Sequence, residues 1–575
     1  MASQEQKKDY KVIKDFGGVN TKANRTSIKE EEFAWLENAM PVGHGNLKIV
    51  PAPTAIGGIT FSGAVVYAAY GNIGTTNYYL AFHADGSAEV VNLSTNIKST
   101  LAAAATFSAS GVQCSQWNNT LVLIIDPVKG YFQWNGTNLV SVGAIGGYTI
   151  TVPGTGYTTG SAITFSAPNQ TGGQQATGTI IASGGIISGI TITNPGTGYT
   201  SPPTIVSIAG GGASFAATFT LISQLGIAIA SFSGRVWIAN GRTIYYTAAG
   251  TSNDFITVSA GSIILNDATL IGNITQLVSA NNFLYVFGVD SINVFSDVRV
   301  NSSGVTLFTN TNISASVGSD LSNGLMPYFR SIMFINRYGV YALVGSTTSK
   351  LSDSLDGVFP LIDFTQTVTC GQVIINNILC AAFAFTYIDP VAGSRPIQAV
   401  YFDKKWFFTS QGNTTFVVSI PVSGAAVLFG TTGTDLQKLY QSTATSISST
   451  IKTSLLGMSD IIRDKQALKF GVEAILSNAV GNSITVTVDN ENRSSPSVTL
   501  NNSSTVIWQN NSLATVSWIN NSLAAVDWAN YTLGYYLYRY DAQQWGKYIG
   551  LTITSTSPAF IVAGVQYETE MRARF

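Results

Sequence analysis

A unit of about 47 residues recurs through the middle of this chain, and it constrains the fold more than any other feature. Its clearest copy is Ala280-Asn281-Asn282-Phe283-Leu284-Tyr285-Val286-Phe287, a polar turn followed by a strand of aromatic and β-branched residues. A second short strand, Ser291-Ile292-Asn293-Val294-Phe295, comes after it. Upstream the same shape reads Ser233-Gly234-Arg235-Val236-Trp237-Ile238, then Thr243-Ile244-Tyr245-Tyr246. Downstream it returns at Phe329 to Ile335, at Asn376 to Ala381 and at Ser423 to Phe429. Weaker copies precede these, at Asn77 to Phe82 and at Asn118 to Leu123, so up to seven units are expected. That spacing is close to one four-stranded propeller blade. The alternative is a β-meander that never closes.

Composition agrees with many short strands and tight turns. Charged residues make up 10% of the 575, while Gly numbers 56; an average soluble protein has about 25% charge. The 29 basic and 30 acidic residues balance, which argues against a dedicated nucleic-acid binder. No Asp, Glu, Lys, Arg or His occurs between Lys129 and Arg235. A surface so poor in charge lacks the repulsion that keeps monomers apart, and it suits a subunit of a permanent assembly.

Five regions follow from the composition shifts. Residues 1–55 form a charged N-terminal arm, in which Ser27 and Glu30 make a capping box for a short helix reaching about Ala39. Residues 56–146 and 223–445 carry the propeller-like body. Residues 147–222 break the rhythm with their own repeat: Pro153-Gly154-Thr155-Gly156-Tyr157-Thr158 returns as Pro195-Gly196-Thr197-Gly198-Tyr199-Thr200. That segment reads as a small β-domain inserted between blades, since long insertions cost little closure entropy. Neither glycine run is followed by the Lys of a phosphate loop, and the absence of carboxylates excludes a calcium repeat. Residues 446–575 form a C-terminal β-rich platform or sandwich with strands such as Ser483 to Asp489. The expected fold is therefore mainly β, with one short N-terminal helix.

The opening segment carries a resemblance. Phe16-Gly17-Gly18-Val19-Asn20-Thr21-Lys22, then Leu36-Glu37-Asn38-Ala39, then Gly45-Asn46-Leu47-Lys48 ahead of a proline, is similar to the start of tail nozzle proteins of short-tailed bacteriophages. These are also called tail tubular or packaged-DNA-stabilising proteins. The chain departs from the usual pattern at Ile49-Val50-Pro51, where the family has Arg-Pro-Gly. The resemblance implies a propeller-like virion protein in a sixfold ring, with its chain ends in a platform against a tail adaptor ring. It also implies docking of tail fibres or tailspikes, transient passage of double-stranded DNA, and assembly into the phage tail after synthesis in the host cytoplasm.

Catalytic material is sparse. His44 and His83 have no ligand-spaced partner, Cys114, Cys370 and Cys380 make no CxxC pair, and Asp290, Asp297, Asp320, Asp353, Asp356 and Asp363 fall mostly in predicted loops. No catalytic residue, cofactor or metal is expected. No apolar run is long enough to span a bilayer: the longest, Val373 to Ile388, is broken by Asn376 and Asn377. The one candidate site is an aromatic repeat at Trp508, Trp518 and Trp528, whose even spacing sets the rings on one face of an extended segment. It reads either as a hairpin stacking Trp in its own core or as an aromatic loop at a channel or interface. A propeller-type carbohydrate-binding adhesin is the alternative function, but Trp117, Trp134, Trp237 and Trp406 keep no common register.

Overall fold

The computed structural model describes residues 8–43, 45–108, 111–414, 416–476, 483–501, 518–519, 525–526, 536–558 and 560–571. Among them the regular structure is strands and three single-turn 3-10 helices.

The repeated turn works as a hairpin device. Asn281 and Asn282 have φ of 52° and 63°, Asn376 and Asn377 have 49° and 66°, and Asn118 and Asn119 have 46° and 52°. Ser233-Gly234 and Ser423-Gly424 follow suit, at 50° and 65° and at 51° and 82°. Two successive left-handed residues give a two-residue loop the twist of paired strands, and Asn and Gly tolerate that conformation best. The strand after each turn is buried beyond its first one to three residues, as at Phe283–Gly288, where Phe283 alone is exposed, and Ser331–Asn336.

Seven four-stranded blades result. Blade 1 begins with Val65–Ile73, blade 2 with Gln113–Trp117, blade 3 with Ala228–Phe232 and blade 4 with Ile274–Ala280. Blades 5, 6 and 7 begin with Leu325–Tyr328, Thr369–Ile375 and Phe416–Val422. The ring closes by exchange of a strand: Ala52–Thr60, which precedes blade 1 in sequence, is the fourth strand of blade 7 beside Asp435–Ser442. Apolar layers fill the seams between blades. Phe61, Tyr79, Phe416 and Phe429 pack blade 7 on blade 1, and Trp237, Leu277, Leu284 and Phe295 pack blade 3 on blade 4.

The insert leaves between blades 2 and 3 on a ribbon of Ala144–Thr155 and Ala213–Ile222. The ribbon carries a four-stranded sheet with its own core of Ile163, Phe165, Ile180 and Phe219. The Gly-Thr-Gly-Tyr repeat is a turn roofed by its tyrosine. Gly154 and Gly196 have φ of 65° and 77°, and a Cβ on either would meet the ring of Tyr157 or Tyr199 at 2.7 Å. The Tyr199 hydroxyl donates to Ser166 O at 2.9 Å and accepts from Ala176 N at 2.9 Å.

Both ends of the chain build a second β-body. In one sheet Lys8–Ile13 and Asn46–Ile49 flank Phe560–Met571, followed by Lys465–Leu476 and Tyr536–Gly546. In the other, blade 6 continues outward through Phe33–Glu37, Ser449–Thr453, Gly550–Ser555, Ser483–Asp489 and Val498–Asn501. The helix expected from Ser27 to Ala39 does not form. Ser27 N donates to Asn24 O in a turn, and the carboxylate of Glu32, not of Glu30, folds back to accept from Lys29 N at 3.0 Å. Phe33–Glu37 then finds strand partners on both sides, Lys405–Thr409 and Ser449–Thr453, burying Phe33 and Leu36. Tertiary pairing overrides the local capping preference.

Candidate functional site

The first strand of each blade lies at the propeller axis, where a small-molecule propeller would keep its ligand pocket. Here the axis is crossed by side-chain amides. Gln276 Nε2 of blade 4 donates to Gln113 Oε1 of blade 2 at 3.2 Å and to Ser322 O at 2.8 Å. Gln113 Nε2 in turn donates to Asn323 Oδ1, just ahead of blade 5, at 3.0 Å. Gln372 of blade 6 donates to Pro327 O, and Ser419 Oγ of blade 7 donates to Gln372 O at 2.7 Å. Tyr67 of blade 1 accepts from Cys114 N at 3.0 Å, and Ser231 N of blade 3 donates to Ser115 Oγ at 3.2 Å. All seven blades are thus tied near the axis.

These amides leave a central cavity of about 440 Å³ with no charged residue in its lining. Tyr67 and Tyr70 supply aromatic faces and Cys114 and Cys370 supply thiols. Burial pushes the Tyr67 hydroxyl and both thiols well above their usual values, so all three stay protonated at neutral pH. Such a lining can hydrogen-bond neutral groups. The lining contains no carboxylate, imidazole, ammonium or guanidinium. A duplex cannot pass through it.

The residues weighed for chemistry are spent elsewhere. His83, 3% exposed, sits within 3.2 Å of Glu89 and 3.3 Å of Ala64 O inside blade 1. His44 lies outside the described residues. Asp320 pairs with Arg337, Asp353 and Asp356 with Lys350, and Asp297 with Arg299. Asp363 closes a turn by accepting from Thr365 N at 3.0 Å. Among the described residues no group of three or more His, Cys, Asp or Glu is placed to hold a metal. Trp508 and Trp528 lie outside the described residues, and Trp518 stands on a short strand opposite Val526. Trp117, Trp134, Trp237 and Trp406 are all buried.

Sequence reading missed the amides at the axis. Their signal was present: Gln113, Gln276, Asn323 and Gln372 each stand four to six residues ahead of the turn that follows the first strand of their blade.

A second cluster fastens the N-terminal segment. Gly18 lies so close to blade 6 that a Cβ there would fall 2.7 Å from Trp406 N, and Val19 N donates to Trp406 O at 2.8 Å. Arg25 Nη1 lies 2.8 Å from Asp489 Oδ2, while Arg25 Nε donates to Thr453 O at 2.6 Å and Nη2 to Leu551 O at 2.9 Å. Glu37 holds Arg395 in a two-pronged pair at 2.6 and 2.9 Å and accepts from Trp35 Nε1 at 2.9 Å. Hydrogen bonding to Glu37 raises the Arg395 guanidinium above its ordinary value, so the cation persists at any physiological pH.

No protein-family model matches the chain, and no curated protein matches it. Among solved structures it is similar to the N-terminal domain of Nup159, at 10% identity over 68% of this chain and 94% of that chain, TM-score 0.30. It is also similar to a chain in an S. cerevisiae complex of Dbp5 with Nup159, Gle1, IP6 and ADP, at 7% identity over 74% and 97%, TM-score 0.23. At TM-scores of this size the likeness carries no argument, and the propeller rests on this chain's own strand pairing. Among the described residues no helix is long and apolar enough to cross a membrane.

Proposed function

We propose that this chain is a structural, non-catalytic subunit of a ring-shaped tail nozzle of a short-tailed bacteriophage. The ring extends the channel of a tail adaptor, retains the packaged genome and conducts it during ejection, and its outer loops dock tail fibres. The observation that carries this reading is the setting of the segment resembling nozzle proteins. Phe16 to Lys48 is built into the body that both chain ends share, with Gly18 against Trp406 and Arg25 against Asp489. The resemblance therefore falls on residues with a physical reason to be what they are. The blocked, uncharged propeller centre also supports it: the passage for DNA then runs between subunits, and the propeller is a wall. A wall with few cations grips phosphates weakly and lets a duplex slide.

Native mass measurement on purified protein, alone and mixed with its adaptor, is the test. The expected species is a closed ring, six copies by family resemblance. A strict monomer that joins no tail complex overturns the reading.

The second reading, a carbohydrate-binding adhesin, draws on the central cavity, where amides and Tyr67 and Tyr70 are the donor set a neutral sugar needs. Glycan-array binding by the full chain, lost in Gln276→Ala, would favour it.

A further inference from the structure

Among the described residues, the sheet that joins the chain ends has two strands with a partner on one side only, and their residues match. Its strands run antiparallel throughout, from Lys8–Ile13 at one edge through Phe560–Met571 and Lys465–Leu476 to Tyr536–Gly546 at the other. The two edge strands therefore point in opposite directions. A second copy set edge to edge would continue the same antiparallel ladder. Among the described residues, Lys8–Ile13 takes a strand partner on one side only, and so does Tyr536–Gly546 over 536–541. Unpaired edges of this length invite pairing unless they are guarded, most often by lysine. Here the lysines bend back over their own sheet, Lys8 to 3.0 Å from Glu568 and Lys11 to 2.5 Å from Glu30, and the half-exposed Lys8 ammonium keeps N–H donors for a further carboxylate.

We propose that Lys8–Ile13 of one copy pairs antiparallel with Tyr536–Gly546 of the next, and that this pairing is the repeating contact of the ring. It rests on the ring reading above. One face of the sheet fixes the register. Val12, Gln566, Gly471 and Arg539 form one row across it, and Tyr10, Glu568, Lys469 and Asp541 the adjacent row, so the residues of both edges share that face. On it Tyr10, Val12 and Leu537 are 65%, 49% and 41% exposed, and Lys8, Arg539 and Asp541 are also exposed.

A single register satisfies all three pairs at once. It sets Lys8 opposite Asp541, Tyr10 opposite Arg539, and Val12 opposite Leu537, which is ion pair, cation over ring, and apolar contact. Sliding two residues one way sets Lys8 against Arg539, like charges directly opposed. Sliding two the other way sets Tyr10 against Asp541 and Val12 against Arg539. A one-residue slip turns every side chain to the opposite face. The contact joins two different edges, so it is heterologous, and it generates a ring when the rotation closes.

The test uses the full chain. Oxidation of Tyr10→Cys/Arg539→Cys should give a ladder of linked species ending at the ring size, with none from the parent, whose own thiols lie in the blades. Lys8→Glu and Asp541→Lys should each weaken assembly by about tenfold per contact, and the double exchange should recover it. Rings that form without the crosslink and ignore both charge reversals overturn the edge pairing while leaving the nozzle reading intact. No ring under any condition overturns both.

Discussion

In blades 1 to 5 each strand pairs with its neighbour in sequence, whereas in the body built from the chain ends Lys8 lies opposite Glu570, and Phe33 opposite Thr453. The blades are closed by turns whose chemistry is local. The terminal body is closed by ion pairs and buried polar hubs that join residues from opposite ends of the chain. Local pairing makes blades cheap to repeat and easy to interrupt, which is why a complete β-domain fits between blades 2 and 3. Non-local pairing makes the terminal body depend on every segment being present. Propeller and terminal body also share one apolar core, running from Met326 and Phe383 to Ile451 and Val565.

Several substitutions can break or sharpen this contrast. The largest effect is expected at the one non-local seam of the propeller. Phe429→Ala removes a fully buried ring between blades 7 and 1 and should cost about 3–5 kcal/mol in denaturant unfolding. A loss below 1 kcal/mol would mean the ring does not depend on its closure. In the terminal body, Asp489→Ala leaves Arg25 without its carboxylate and should cost about 3 kcal/mol, at the low end for a buried pair because the Arg25 side chain is 22% exposed. Gln113→Ala strands one amide partner on each side of the axis and should cost about 1–2 kcal/mol. Phe329→Gly should stabilise by a few tenths to about 1 kcal/mol. This residue holds a φ of 51° in a blade turn and is 72% exposed, and the relief of that strain is set against one edge-on ring contact with Tyr328 at 4.7 Å.

The smallest effect is on pH dependence. Burial pushes the Glu89 carboxyl up, but the hydrogen bonds from Lys98 and Ser62 N and the Lys98 charge outweigh it and leave the group below its usual value. A depressed carboxyl contributes stability that is full above its unfolded value, near 4.3, and is lost as pH falls through the folded one. Glu89→Gln should therefore flatten the acid limb of the stability curve below about pH 4.5.

The same contrast governs what the sequence disclosed. The blades were legible because the turn, the buried second strand and the spacing all lie within one unit of about 47 residues. The insert was legible because its Gly-Thr-Gly-Tyr turn is closed by its own tyrosine. Closure was not, since Ala52–Thr60 is completed by residues 435 to 442 and nothing local marks it as a blade strand. The N-terminal helix was misread for a related reason. Ser27 and Glu30 carry a helix-start pattern, while the partners that hold Phe33 extended come from residues 405 to 409 and 449 to 453. The amides at the axis were visible as single polar residues in apolar strands, but only the ring brings Gln113, Gln276 and Asn323 together.

In the proposed nozzle the propeller is a closed wall and the passage lies between copies. Electron microscopy of the purified assembly tests it most directly. The expected image is a ring whose axial channel is bounded by neighbouring subunits, with each propeller bridged at its own centre by the amides that cross its axis. Isolated monomers, or an open bore through the propeller axis, would contradict it.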